Sequence, residues 1–168
     1  MVPCAECGYE YDSLDHLQIC HEVDSLALEH RLLLTSAQSQ RLRAHPRPDS
    51  WSALEYGCHV RDVLRFQRDR VILAQTAPTP RFESMRRDER AIEDCYNEQE
   101  PASVAEEIVA AAARFTQALA GLTEAGWLRT GLYPWPEPQV RTVEWIGRRT
   151  AHELAHHLFD ERRLLNSA

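Results

Sequence analysis

The sequence predicts an all-α protein, a four-helix bundle with a small Cys-containing cap at its N-terminus. Four long segments repeat apolar residues at helical spacing and are bounded by capping residues, Gly or Pro. No segment shows the alternating pattern of a half-buried strand. The chain of 168 residues, 43% hydrophobic and 27% charged, is long enough for one core without disulfide staples.

Residues 1–23 read as the cap. Cys4-Ala-Glu-Cys7-Gly8 is a knuckle-like turn, and Cys20-His21 follows. The bundle spans 24–168. Its first helix runs from Asp24 through Leu26, Leu33 and Leu42 and stops at His45-Pro46-Arg47-Pro48. Asp49 or Ser50 caps a second helix, from Trp51 to about Ala74, which carries Leu54, Cys58, Val63, Leu64 and Val71. Residues 75–102 form a polar connection with a short helix around Met85 to Cys95. Ser103-Val-Ala-Glu106 is a capping box opening an Ala-rich third helix that ends at Gly121. The connection from Thr123 to Arg141 holds Trp127, Tyr133 and Trp135 among prolines, and extended aromatic loops of this kind often cover sites. Thr142 caps a last helix, Val143 to Leu165.

Composition narrows the function. There are 26 acidic and 19 basic residues, a net charge of −7, and every basic residue is Arg. With no basic tract, nucleic acid is not an expected partner. Met1 to Glu10 has no apolar core of a signal peptide and no run approaches about 18 apolar residues, so a cytoplasmic protein without a membrane partner is expected. The five Cys are an odd number at irregular spacing, a poor disulfide framework, so thiols or metal ligands are the better reading.

The sharpest pattern is His152-Glu153-Leu154-Ala155-His156 on the last helix. Residues four apart share a face, so both imidazoles can reach one ion. The pattern also matches the HExxH of zinc peptidases, but position 159 is Phe, position 162 is Arg, and no third downstream ligand follows. A third ligand must come from upstream, and His59 of helix two is the best candidate. Three neutral imidazoles would leave a divalent ion its full charge and an open position, able to lower the pKa of bound water or thiol. Glu55, Asp62 and Asp160 are placed to orient an imidazole. His157, about 100° around the helix from His156, is expected at the rim or surface. Cys4 and Cys7 are expected to hold a second zinc with two of His16, Cys20 and His21, to act as a redox pair, or to remain free thiols. Cys58 and Cys95 read as packing residues.

Trp51-Ser-Ala-Leu-Glu55-Tyr56-Gly-Cys58-His59-Val-Arg61-Asp62-Val together with Arg148-Arg149-Thr-Ala-His152-Glu153-Leu-Ala-His156-His157-Leu-Phe-Asp160 resembles the DinB-like superfamily over about residues 24–165. That group includes the mycothiol-dependent maleylpyruvate isomerases and the bacillithiol or mycothiol S-transferases. The resemblance implies an up-down-down-up four-helix bundle and a divalent metal held by His59, His152 and His156. Zn²⁺ is the first expectation, with Ni²⁺ or Fe²⁺ as alternatives.

The function expected from residues and resemblance together is a metal-dependent thiol S-transferase or isomerase. It would activate a low-molecular-weight thiol as cosubstrate and direct it at a small electrophile. Mycothiol is preferred because an Arg-only, Ala-rich sequence suits the high-GC bacteria that make it. Arg149 is the residue expected to meet a carboxylate or sugar hydroxyl of the thiol, and Glu153 is the other catalytic candidate, a general base only in the disfavoured peptidase reading. The alternative is a non-enzymatic metal- or redox-responsive binding protein. A monomer or homodimer is expected.

Overall fold

Asp15 begins the first helix. Its carboxylate accepts from Gln18 N while the Gln18 side chain accepts from Asp15 N, a reciprocal cap that starts α1 (His16–Ser36). A short α2 (Ser39–Leu42) follows. Ser52 and Glu55 form the same reciprocal cap for α3 (Ala53–Thr76). The connection after α3 contains α4 (Arg87–Glu93) and a 3₁₀ turn, Tyr96–Glu98. Pro101 opens α5 (Pro101–Ala120), where a missing N–H costs nothing. A single turn, α6 (Glu124–Trp127), precedes a hairpin of β1 (Thr130–Tyr133) and β2 (Gln139–Thr142), which leads directly into α7 (Val143–Asn166). The computed structural model describes residues 3–10 and 12–166.

α1, α3, α5 and α7 form the four-helix bundle. α1 packs on α5 and α7, and α3 packs on the same two, so α1 and α3 lie diagonally across the core. Leu34, Leu54, Leu64, Ile108, Phe115, Ile146 and Leu154 are fully buried between them. His30 and Glu161 form a fully buried polar pair, Nδ1 to Oε2 2.9 Å, and His30 Nε2 donates to Leu154 O at 3.0 Å. Among the described residues no helix is long and apolar enough to cross a membrane.

Four expectations are corrected. α1 starts at His16, not Asp24, so the boundary placed at residue 23 falls inside a continuous helix; the Asp15/Gln18 cap outweighs the change in composition that suggested the boundary. Ser52, not Asp49 or Ser50, caps α3. Ser103 lies inside the first turn of α5 because Pro101 starts that helix two residues earlier. The Thr123–Arg141 connection contains a small antiparallel hairpin, Thr130 opposite Thr142 and Tyr133 opposite Gln139. Strands of four residues are too short to show a period. The hairpin is anchored by residues 80–82: Leu132 N donates to Pro80 O at 2.8 Å and Phe82 N donates to Leu132 O at 3.0 Å. Gly131 makes room for the Phe82 ring, since a Cβ there would lie 2.1 Å from Phe82 Cζ.

Candidate functional site

The rotation of α7 about its axis decides which of its polar residues meet which partners. Its buried stripe runs through Ile146, Thr150, Leu154, His157, Leu158 and Glu161. His157 is therefore turned inward toward α3, and Glu153 lies one turn before it on the same face. His59 of α3 meets His157 edge to face, with ring centroids 4.9 Å apart. The ligand atoms of His59, Glu153 and His157 all lie within 4.8 Å of one another. His152 and His156 point about 100° away. They face the N-terminal segment, where the ligand atoms of Cys4, Cys7, His152 and His156 form a second group within the same distance.

The predicted grouping of His59 with His152 and His156 is thus divided between two clusters. Helical spacing alone cannot choose between the 152/156 and 153/157 faces, and the buried stripe selects the latter for the bundle interior. His157, expected at the rim, is buried, and its Glu153-x-x-x-His157 spacing was a signal of the same kind as the one read from His152 and His156. The separation also dissolves the HExxH peptidase arrangement, because Glu153 faces a different cluster from the two histidines that flank it. The expected partners of Cys4 and Cys7 are elsewhere. His16 stacks on Trp127 with centroids 3.9 Å apart, Cys20 packs half-buried against the core, and His21 is exposed. Cys58 is buried as expected, whereas Cys95 is exposed.

Electrostatics within the inner cluster are strongly uneven. Burial, reinforced by the charge of His157, holds the His59 pKa down at about 3. His59 Nδ1 is buried and has no hydrogen-bond partner. Burial also opposes charge on His157, but hydrogen bonds to Asp160 and Glu153 outweigh it and raise its pKa to about 9. His157 Nδ1 is 3.3 Å from Asp160 Oδ2 and Nε2 is 3.5 Å from Glu153 Oε2. For Glu153, burial disfavours the carboxylate, yet the hydrogen bond to His157 and the charge of Arg149 hold its pKa well below the usual range. Arg149 forms an ion pair with Glu153 and also reaches His152 Nδ1 at 3.1 Å. Of the three carboxylates expected to orient a ligand imidazole, Asp160 faces the α7 histidines, while Glu55 lies near His45 at 3.5 Å. Asp62 is taken by Arg61 Nε at 2.8 Å and Tyr96 Oη at 2.7 Å, and Glu55 is used in the α3 cap.

A cavity of about 440 Å³ opens beside this cluster, reaching His59 and Glu153 and bounded by Arg70, Tyr133, Trp135 and Arg149. The Tyr133–Trp135 stretch, expected from sequence to cover a site, is one wall. Arg70 is buried and donates to Gln67 Oε1 at 3.1 Å, Tyr133 Oη at 3.0 Å and Glu83 O at 2.7 Å, while its Nε has no partner. A buried cation held by neutral acceptors beside a cavity is suited to an anionic group.

The donors of the inner cluster fit a divalent cation. Two imidazoles and a carboxylate are a common set for zinc and related ions, and the partnerless Nδ1 of His59 is the kind of buried atom that a cation would satisfy.

Comparison with known proteins agrees with this architecture. YfiT from Bacillus subtilis, described as a probable metal-dependent hydrolase with an unusual four-helix bundle topology, superposes with a TM-score of 0.82 at 16% sequence identity, covering 95% of this chain and 92% of YfiT. A search of curated proteins gives no match. The family model of the DinB superfamily matches residues 29–159. This span runs from α1 to the end of the α7 cluster and contains His59, Glu153 and His157, and the chain belongs to the DinB superfamily.

Proposed function

We propose that this protein is a metal-dependent enzyme that joins a low-molecular-weight thiol to a small electrophile, with His59, Glu153 and His157 as the metal ligands. The observation that carries the reading is the partnerless Nδ1 of His59, buried in a cluster with an imidazole and a carboxylate at the edge of a cavity. When bound, the ion supplies a Lewis-acid position that favours the thiolate over the thiol at neutral pH. The remaining roles belong to the chain. Glu153 contributes negative charge, and Asp160 orients His157 through Nδ1. Arg149 and Arg70 present positive charge to the cavity, which favours a carboxylate-bearing reactant. Tyr133 and Trp135 form an aromatic wall that limits water around the reactants. The thiol we favour is mycothiol, on the family resemblance and the Arg-only, Ala-rich composition, and Zn²⁺ is the metal we favour.

A second reading is hydrolysis. It is supported by the carboxylate at position 153, since two histidines and a glutamate also hold zinc in hydrolases that activate water. The test is metal analysis followed by a conjugation screen with mycothiol, bacillithiol and glutathione, run with and without each thiol. The transferase reading expects activity that requires both metal and thiol and is lost in His59→Ala. Substrate turnover independent of any thiol would favour hydrolysis, and turnover unaffected by His59→Ala would overturn both.

A further inference from the structure

We propose that Cys4, Cys7, His152 and His156 form a closed, structural zinc site that fastens the N-terminal segment to α7. This site shares no ligand with the inner cluster, although the ligand atoms of His156, His157 and Asp160 also lie within 4.8 Å of one another where the two adjoin, and it does not depend on the function proposed above.

The distances carry the argument. Cys4 Sγ lies 3.7 Å from His156 Nδ1, and Cys7 Sγ lies 3.8 Å from His152 Nε2. A tetrahedral zinc with its usual bonds to sulfur and nitrogen sets the S···N edge at about 3.6 Å. All four ligand atoms lie within 4.8 Å of one another. Two residues between the cysteines and three between the histidines match the usual ligand spacing of structural zinc sites. Here the two halves come from opposite ends of the chain.

The local backbone is built for such a site. Gly8 takes φ of 72° and donates to Cys4 O at 2.8 Å, while Cys4 N donates to Tyr9 O at 3.1 Å, closing a tight turn. Backbone N–H groups of Cys7 and Glu6 point at the Cys4 sulfur, and that of Tyr9 points at the Cys7 sulfur. Two thiolates would neutralise a divalent ion. His156 Nε2 faces Glu6 at 3.3 Å and Asp160 at 3.6 Å, so carboxylates hold its proton on Nε2 and leave Nδ1 for the metal. Coordination of His152 through Nε2 would put its proton on Nδ1, facing the Arg149 N–H 3.1 Å away, so metal binding requires Arg149 to turn from His152 toward its ion-pair partner Glu153. Four protein ligands leave no open position, which makes this site structural.

Cobalt substitution in the full chain tests the site, because thiolate ligands give Co²⁺ an intense near-ultraviolet charge-transfer band that nitrogen and oxygen ligands do not. The expected result is this band in the wild-type protein, its loss in Cys4→Ser/Cys7→Ser together with about one zinc per chain, and its persistence in Cys20→Ser/Cys58→Ser/Cys95→Ser. His59→Ala should keep the band whatever becomes of the inner cluster, so failure of the inner metal centre and failure of this one are told apart. Absence of the band from the wild-type protein overturns the proposal, a reading that needs no folded variant. So does a Cys4–Cys7 disulfide that persists when the protein is purified with zinc under reducing conditions, or a band that disappears in the Cys20/Cys58/Cys95 variant.

Discussion

His59 and His157 meet edge to face with ring centroids 4.9 Å apart, yet their surroundings favour opposite protonation states. Burial keeps His59 neutral, with a pKa of about 3, whereas His157 has a pKa of about 9 because Asp160 and Glu153 outweigh its burial. In the unfolded chain both return to about 6.5. Below 6.5 the unfolded His59 takes up a proton that the folded one refuses, so stability falls as pH drops from about 6.5 toward 3. For His157 the stabilisation is fully present below 6.5 and is lost as pH rises through about 9. Metal-free protein should therefore be most stable near neutrality, each limb falling by roughly 3–5 kcal/mol at most. Urea denaturation at stepped pH after chelation checks this. His157→Gln should flatten the alkaline limb and His59→Gln the acid limb, and unchanged limbs would refute the assignment.

Under the proposed reaction, Arg70 would select an anionic reactant. It is buried, its neighbours are neutral acceptors, and its Nε has no partner. Arg70→Met should raise KM for a carboxylate-bearing electrophile about 10- to 100-fold, the scale of one charged hydrogen bond, with little change in kcat. A neutral analogue should be unaffected. Equal losses for both substrates in steady-state assays would argue for a packing role instead.

The His30–Glu161 pair holds α1 to α7 in the core. His30 Nε2–H is committed to Leu154 O, so Nδ1 and Glu161 Oε2 share one proton at 2.9 Å, while Glu161 Oε1 has no partner. His30→Leu should cost about 3–5 kcal/mol because it strands a buried carboxyl group. Adding Glu161→Leu should recover much of that loss. Thermal and urea unfolding of the two single variants and the double variant measure the coupling, and additive losses would exclude it.

Gly131 tests how the hairpin shapes the cavity. A Cβ there would meet the Phe82 ring at 2.1 Å, and Phe82 also packs against Tyr133 of the cavity wall. Gly131→Ala should destabilise the protein by about 1–3 kcal/mol, as overpacking does, and lower the thermal midpoint by several degrees. Calorimetry is sufficient, and an unchanged midpoint would mean that the ring shifts freely.

Much of the bundle was legible in the sequence because its signals are local. Helical spacing marks α3, α5 and α7, and Gly121 ends α5 where expected. Even the missed start of α1 had a local signature in Asp15 and Gln18. The hairpin did not, because its strands depend on hydrogen bonds to residues 80–82.

The sequence by itself determined that α7 carries metal-ligand residues at i and i+4, and that a histidine of α3 and a pair of N-terminal cysteines were available to join them. It offered two overlapping pairs, His152 with His156 and Glu153 with His157, one residue apart on the same helix. Tertiary structure decided between them. The rotation of α7 that buries Ile146, Leu154 and Leu158 turns Glu153 and His157 toward His59 and leaves His152 and His156 facing Cys4 and Cys7. One residue of offset is about 100° of helix rotation, and that angle is set by core packing across the whole bundle, which no local spacing records.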